Sequence, residues 1–359
     1  MRNRPLFGVD WYLLVPVFIL AILSLTTLSG IGSLYFRNQL VYYLIGVVVF
    51  FFFSQIDYKM LSFFLKPIYI ISVVVLTLVL FLGLESRGAV RWVELFGVRV
   101  QFSEIIKPFL TLCLAGFLAA GTNRSVKRFI LSGVFLAPVA LLIALQPDLG
   151  NALIFTIVLF FVLLVYGFPF LWFILALIPV LLLSPVLWGI LHGYQRERIL
   201  SFLHPSSDPL GTTYNVMQAI IAVGSGKFLG KGFSEGTQSS LKFLPERQTD
   251  FIFATISEAF GFIGAAVVIA AFGFLLYRLY VLFQNADEPL GKLYMLGTFF
   301  FFLVPFFVNI GMNLGIVPVV GVTLPFVSFG GSSIVASFIA LGIASSIGTK
   351  AKVSVLEIR

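Results

Sequence analysis

Charge is what this chain has least of. Only 11% of its 359 residues are Asp, Glu, Lys or Arg, 60% are apolar, and mean hydropathy is +1.08. Polar surface that scarce excludes a soluble globule and leaves lipid as the solvent for most of the chain. Cysteine is nearly missing too. The single thiol, Cys113, lies inside an apolar run, so no intramolecular disulfide is possible and the redox compartment is unread. The two histidines, His192 and His204, have no Cys or His companion at ligand spacing, which argues against a protein-built zinc site. A soluble basic module is also lacking. The net charge of +8 is scattered over loops, which points to membrane lipids and anionic substrates as partners and to no nucleic acid.

What the chain has is apolar length. Ten runs, near 11–29, 36–54, 61–84, 104–121, 129–146, 148–166, 168–191, 250–280, 292–315 and 328–348, approach the span of a hydrocarbon core. Inside lipid such runs must close their backbone hydrogen bonds as helices. They predict an all-α integral membrane protein of about ten transmembrane helices, forming a single polytopic domain over 1–359. The first run follows Arg2 and Arg4 but is as long as its successors, so it reads as a retained span and not a cleaved signal. With the N-terminus cytoplasmic, Lys59, Lys66, Arg124, Lys127, Arg128, Arg278, Lys292, Lys350, Lys352 and Arg359 all fall inside. Both termini are then cytoplasmic, and a long loop, 192–249 between helices seven and eight, is extracytoplasmic.

That loop breaks the compositional rule. From His192 to Asp250 it gathers Arg196, Glu197, Arg198, Asp208, Lys227, Lys231, Glu235, Lys242, Glu246, Arg247 and Asp250, and the outer segment 85–103 adds Arg87, Arg91 and Arg99. Cations kept on the face where topology disfavours them are candidate ligands for an anion, phosphate above all. Head-group anchoring is the alternative. Within the loop, Val216, Ile220 and Val223 share one face of a helix that reads as lying on the membrane. The run Gly224–Gly232 is no nucleotide loop, since Ser225 and Gly232 occupy positions that need Gly and Ser or Thr. It reads as flexible glycines presenting Lys227 and Lys231.

Ionisable groups at membrane depth are costly and mark function. Glu104 and Lys107, three apart, can pair, either to fix packing or to meet a substrate. Asp148, in Gln146-Pro147-Asp148-Leu149-Gly150, has a helix cap as its default role. Asp250 and Glu258 are separated by about 80° around a helix and roughly 12 Å along it. Asp250, at the interface, can reach a water-borne group carried on a lipid. Glu258, deeper, is expected to hold a hydrogen-bond network between helices where Gly261 and Gly264 allow close approach. Asn309 and Asn313 share a face ahead of a Gly-, Pro- and Ser-rich stretch, 318–333, whose irregular backbone must be buried in protein or line a cavity.

Six stretches, in order, carry a resemblance: Arg91-Trp92, Gln101 to Lys107, Gln146 to Gly150, Tyr194 to Pro205, Leu244 to Phe251, and Pro318 to Ser333. Together they resemble the SEDS family of shape, elongation, division and sporulation proteins, most closely its elongation branch. One departure is Phe102, where the family often has Pro. The resemblance implies a peptidoglycan glycosyltransferase that polymerises lipid II by β-1,4 transfer, with polyprenyl pyrophosphate as leaving group. It implies a bacterial cytoplasmic membrane location with the active face outward, a class B penicillin-binding protein as crosslinking partner, and a place in the elongation machinery. The family's essential aspartate, in its Pro-Glu-Arg-x-Thr-Asp motif, corresponds to Asp250. Arg91, Arg99, Gln101, Glu104, Lys107, Arg196, Glu246 and Arg247 are the candidate substrate contacts. A divalent cation, Mg or Mn, is an alternative to Arg and Lys at the pyrophosphate. A lipid II flippase is the rival function, disfavoured because no internal repeat is evident and polar groups gather at one face. The aromatic spans Tyr42–Phe53 and Phe299–Phe307 are candidate docking faces for a partner's transmembrane helix.

Overall fold

The computed structural model describes residues 8–86, 89–95, 97–121, 123–204, 212–233, 236–240 and 243–357. Arg2, Arg4, Arg87, Asp208, Glu235, Lys242 and Arg359 lie outside the described residues. The chain runs α1 (Trp11–Ile31), α2 (Ser33–Gln55), α3 (Tyr58–Ser62), α4 (Leu65–Leu82), β1 (Leu84–Ser86), β2 (Ala89–Leu95), β3 (Val98–Val100), α5 (Phe102–Ile105) and α6 (Lys107–Ala119). It continues through α7 (Val126–Leu145), α8 (Leu149–Tyr166), α9 (Phe170–Leu182), α10 (Ser184–Ile190), α11 (Gly193–Leu203), α12 (Thr212–Ser225), α13 (Thr237–Ser240), α14 (Ile252–Gln284), α15 (Pro289–Asn313) and α16 (Gly331–Glu357). Among the described residues nine helices, counting α5 and α6 as one, are long and apolar enough to cross a membrane, as a multi-pass protein requires.

Two segments differ from the ten-span reading. The seventh run, 168–191, is divided between α9, of 13 residues, and α10. The division falls at Leu183, between Pro179 and Pro185, where a missing N–H and ring clashes interrupt the ladder. The segment near 85–100, expected as a loop, is a small sheet. It forms an antiparallel meander in the order β1-β2-β3, favoured by Val90, Val93, Val98 and Val100.

The core sits on α15. This helix packs against α6, α8, α14 and α16, and buries Tyr294, Phe300, Phe301, Phe302 and Phe306. The aromatics expected there as a docking face are therefore internal, with Phe307 the exposed exception at 63%. In α2, by contrast, Phe50 is buried beside Phe338 while Leu44, Val48 and Phe52 face outward.

The long helix α14 is broken at Gly261, whose φ is +66° and ψ −157°. A break inside lipid would strand backbone groups, and the 224–232 glycine run fills it. Lys231 and Gly232 N–H donate to the carbonyls of Glu258 and Ala259 at 2.9 and 3.0 Å, and Phe262 N–H donates to the Lys227 carbonyl at 2.8 Å. Contact is backbone to backbone. A Cβ on Gly230 would lie 2.2 Å from the Ala259 oxygen, and one on Gly261 would lie 2.4 Å from the Gly230 nitrogen. The glycines are thus a fitted strap, which overturns their reading as a flexible presenter of cations. Beside it, α12 buries Ala219 and Ala222 against Phe251, Ala254 and Met312, and exposes Met217, Ile220 and Ile221.

Gly261→Ala should lower stability by at least about 2 kcal/mol, since a Cβ is strained at positive φ and here also meets backbone. Gly273→Ala, in the same helix with nothing within 4 Å of its would-be Cβ, should change stability by no more than about 1 kcal/mol. Thermal unfolding of both variants in detergent checks the contrast.

Candidate active site

The turn before α14 is built by Glu246. Its carbonyl accepts the N–H groups of Thr249 and Phe251 at 3.0 and 3.2 Å, and its carboxylate accepts the Thr249 hydroxyl at 3.1 Å. Glu246, expected to contact substrate, thus also shapes the turn that carries Asp250. Asp250 lies in this turn, two residues ahead of the helix rather than in its first turn. Two fully buried amides from α15 hold its backbone. Asn309 and Asn313 Nδ2 donate to the Asp250 carbonyl at 3.1 and 3.0 Å, while Asn313 Oδ1 accepts the Ala254 N–H at 3.0 Å. The four-residue spacing that puts both amides on one face of α15 is what makes this clamp possible. The clamp fixes the backbone and leaves the Asp250 side chain half-buried.

The stretch after α15 is irregular and buried in protein, as its composition requires. Ser24 donates to the Val327 carbonyl at 2.7 Å, Gln39 to that of Ser328 at 3.1 Å, Tyr43 to that of Phe326, and Asn309 to that of Val322 at 2.7 Å. Ser328 Oγ and Phe329 N–H in turn reach the carbonyls of Thr249 and Gln248 at 2.7 and 2.8 Å, joining this stretch to the Asp250 turn. At Gly321 a Cβ would sit 3.5 Å from Arg198 Nη1 and 3.6 Å from Asp250 Oδ2. Arg198 and Asp250 thus face one another across a glycine. The Arg198 guanidinium lies over the Tyr194 ring, 5.7 Å from its centroid, and the Tyr194 hydroxyl donates to the Pro147 carbonyl at 2.8 Å. Sequence reasoning selected Arg196 and missed Arg198. The available signal was the four-residue spacing of Tyr194 and Arg198 on α11, which stacks a guanidinium on a ring.

The other cations divide by partner. Arg91 Nη1 lies 3.7 Å from Asp148 Oδ1, and Asp148 Oδ2 accepts from Gln101 and Asn151 at 2.7 and 2.8 Å. Asp148 caps α8 as expected and also gathers Arg91 and Gln101. The Gln101 N–H donates to Ser332 Oγ at 2.8 Å, which ties this group to the start of α16. Glu104 and Lys107 pair at 2.6 Å, both buried. Arg99 is exposed on β3 opposite Glu94, outside this network, and Arg196 turns back to the Gly189 carbonyl at 2.6 Å. Neither joins the Asp250 group. Arg247 points to the far side of its turn, into a cavity of about 250 Å³ shared with Glu258. Burial holds its guanidinium below the ordinary arginine range. Glu258 accepts the N–H groups of Gln238 and Ser239 at 2.9 and 2.8 Å. It anchors the 192–249 loop, where a network between membrane helices was expected. Among the described residues no three His, Cys, Asp or Glu side chains converge.

Known proteins share this sequence and architecture. A family described as cell cycle protein, of the FtsW, RodA and SpoVE type, matches residues 6–353. Peptidoglycan glycosyltransferase MrdB of Escherichia coli is 39% identical over 313 residues, covering 86% of this chain and 84% of that protein. The protein of the same name from Helicobacter pylori is 37% identical over 337 residues, covering 92% and 86%. Among solved structures, a chain of a peptidoglycan synthase complex that coordinates polymerization and crosslinking superposes with a TM-score of 0.83 at 30% identity, over 96% of this chain and 98% of that one. The rod shape determining protein RodA of Thermus thermophilus superposes with a TM-score of 0.72 at 27% identity, over 95% and 96%.

Lys107→Met should destabilise the fold by about 3–5 kcal/mol by leaving a buried carboxylate alone. Adding Glu104→Gln should recover most of that loss, because the uncompensated charge is then gone. Thermal unfolding of the two single variants and the double variant measures it.

Proposed function

The chain belongs to the FtsW, RodA and SpoVE family of cell cycle proteins and is a peptidoglycan glycosyltransferase of the cell-shape branch, and from that premise we propose that Asp250 is its general base, acting on lipid II. In this reading Asp250 takes the proton from the acceptor GlcNAc 4-hydroxyl. The oxygen attacks the anomeric carbon of the donor MurNAc, and the bond to polyprenyl pyrophosphate breaks with inversion to leave a β-1,4 link. The observation that carries the assignment is the clamp. Two buried asparagines immobilise the Asp250 backbone and leave its half-buried carboxylate facing Arg198. A base held by rigid helices keeps its position when a substrate arrives, and positioning is a large part of catalytic advantage.

The Arg198 guanidinium shares the space beside Gly321 with that carboxylate, and we assign it to the charge that develops on the departing pyrophosphate. Arg91 and Lys107, each committed to a buried carboxylate, are assigned to shaping the site. The bacterial cytoplasmic membrane, with both termini inside and the Asp250 end of the bundle outside, is the setting this chemistry requires. A class B penicillin-binding protein is proposed as partner, since the relative with TM-score 0.83 belongs to a complex that coordinates polymerization with crosslinking. The exposed face of α2 remains open to such a partner, whereas the buried aromatics of α15 do not.

Asp250→Asn should fold normally and lose glycan polymerisation from lipid II by about 10²–10⁴-fold, the usual worth of general-base catalysis. The assay is polymerisation by purified protein, alone and with its penicillin-binding partner. Near-normal chain synthesis by this variant, free of other polymerases, excludes Asp250 as the base.

A further inference from the structure

The cavity on the far side of the Asp250 turn is lined by Gly30 and Ile31 from the end of α1, Phe233 and Ser239 from the outer loop, Arg247, and Thr255, Glu258 and Ala259 from α14. Its polar groups are incompletely used. Among the described residues Ser239 Oγ and the neighbouring Gln238 Oε1 are buried with no hydrogen-bond partner, and the half-buried Arg247 guanidinium has Tyr35 as an electrostatic neighbour but no carboxylate paired with it. Glu258 is 1% exposed and each of its oxygens accepts one backbone N–H, which leaves acceptor capacity on both. Arg247 and Glu258 border the same space without pairing to each other, and groups left open in this way mark a missing partner.

The occupant must satisfy opposite demands. A guanidinium and a hydroxyl donor call for an anion, and phosphate suits a guanidinium best. A buried carboxylate on the facing wall rejects a second anionic group and calls for a donor, an ammonium or a hydroxyl. Volume narrows the choice. At about 250 Å³ the cavity falls just below the roughly 300–1,000 Å³ of sites that enclose drug-sized ligands. It is right for a phosphate with a short substituent and small for a disaccharide. Position agrees as well. The cavity lies between α1 and α14, two of the helices apolar enough to cross a membrane, and Glu258 is about 9 Å along α14 from its first residue, so a lipid headgroup is the anion at hand.

We propose that this cavity is a binding site for a lipid phosphodiester headgroup bearing a terminal donor, as in phosphatidylethanolamine, with the phosphate on Arg247 and Ser239 and the donor on Glu258. The site is separate from the Asp250 carboxylate but bonded to the same turn. Arg247 and Asp250 are three residues apart, and the Arg247 carbonyl accepts the Thr255 hydroxyl at 3.1 Å. A bound headgroup therefore braces the turn from the side opposite the asparagine clamp. The proposal does not depend on Asp250 being the base.

The test uses full-length protein in nanodiscs, with retained lipid counted by native mass spectrometry after extraction into detergent. Phosphatidylethanolamine, phosphatidylglycerol and lipid II are offered separately. Wild type is expected to retain one phosphatidylethanolamine. Arg247→Gln and Ser239→Val should each reduce its occupancy at least tenfold, the worth of a lost charge-assisted contact or a filled cavity. Lys227→Gln, which removes an exposed cation on the nearby strap, should not reduce it. Glu258→Gln should erase the preference for phosphatidylethanolamine over phosphatidylglycerol. Arg247-dependent retention of lipid II alone supports the phosphate site and identifies the substrate as its source. Equal retention by wild type, Arg247→Gln and Ser239→Val, or retention by none, overturns the site. Thermal unfolding of each variant separates lost binding from lost fold.

Discussion

Backbone hydrogen bonds that cannot be left open in lipid govern this structure. Towards one end of the bundle the described chain stops being helical at the break at Gly261, at the turn before α14 and in the stretch between α15 and α16, three places taken in turn. Each is closed by groups from elsewhere in the chain. The glycine strap closes the first, Asn309 and Asn313 the second, and Ser24, Gln39, Tyr43 and Ser328 much of the third. In water these bonds would be worth about 1 kcal/mol each, because solvent would replace them. In hydrocarbon the alternative is an unsatisfied group at several kcal/mol, so the irregular backbone is held in one conformation.

That rigidity has a functional consequence. The Asp250 turn is bonded to α14, α15 and the 318–333 stretch at once, so its backbone can move only if several buried bonds break together. An active site is thereby assembled from irregular segments, which loops commonly supply, without the mobility that loops usually bring. Helices alone could not do this. A regular helix exposes only its side chains, whereas here carbonyls and amides of the turn are themselves the handles by which the site is fixed.

Charge follows the same economy. Asp148 takes up Arg91 and Glu104 takes up Lys107, so two cations of the matching motifs are neutral as pairs before any substrate arrives. A buried pair adds little net stability over an apolar equivalent, yet losing either partner is severe, so such pairs specify geometry more than they strengthen it. Arg198, stacked on Tyr194 and facing Asp250, and Arg247, facing the cavity, are the cations set towards open space on the two sides of the turn.

The membrane class, the approximate spans, the Asp148 cap and the shared face of Asn309 and Asn313 were legible in the sequence. These rest on local facts: apolar run length, helical spacing and the cost of a charge in lipid. The 85–103 segment was read as a polar loop and proved to be a sheet, because short strands in a loop carry too little periodicity to register. The glycine run was read as flexible, since composition shows permissive backbone but not what that backbone is bonded to. The spacing of Tyr194 and Arg198 allows their stack, but spacing alone could not bring Arg198 to the side of Asp250 or send Arg247 away from it. Those outcomes depend on pairings such as Gln101 with Ser332, 231 residues apart, and on which side of a turn faces which helix. Local physics determined what each segment is; only the closed set of long-range hydrogen bonds decided which groups meet.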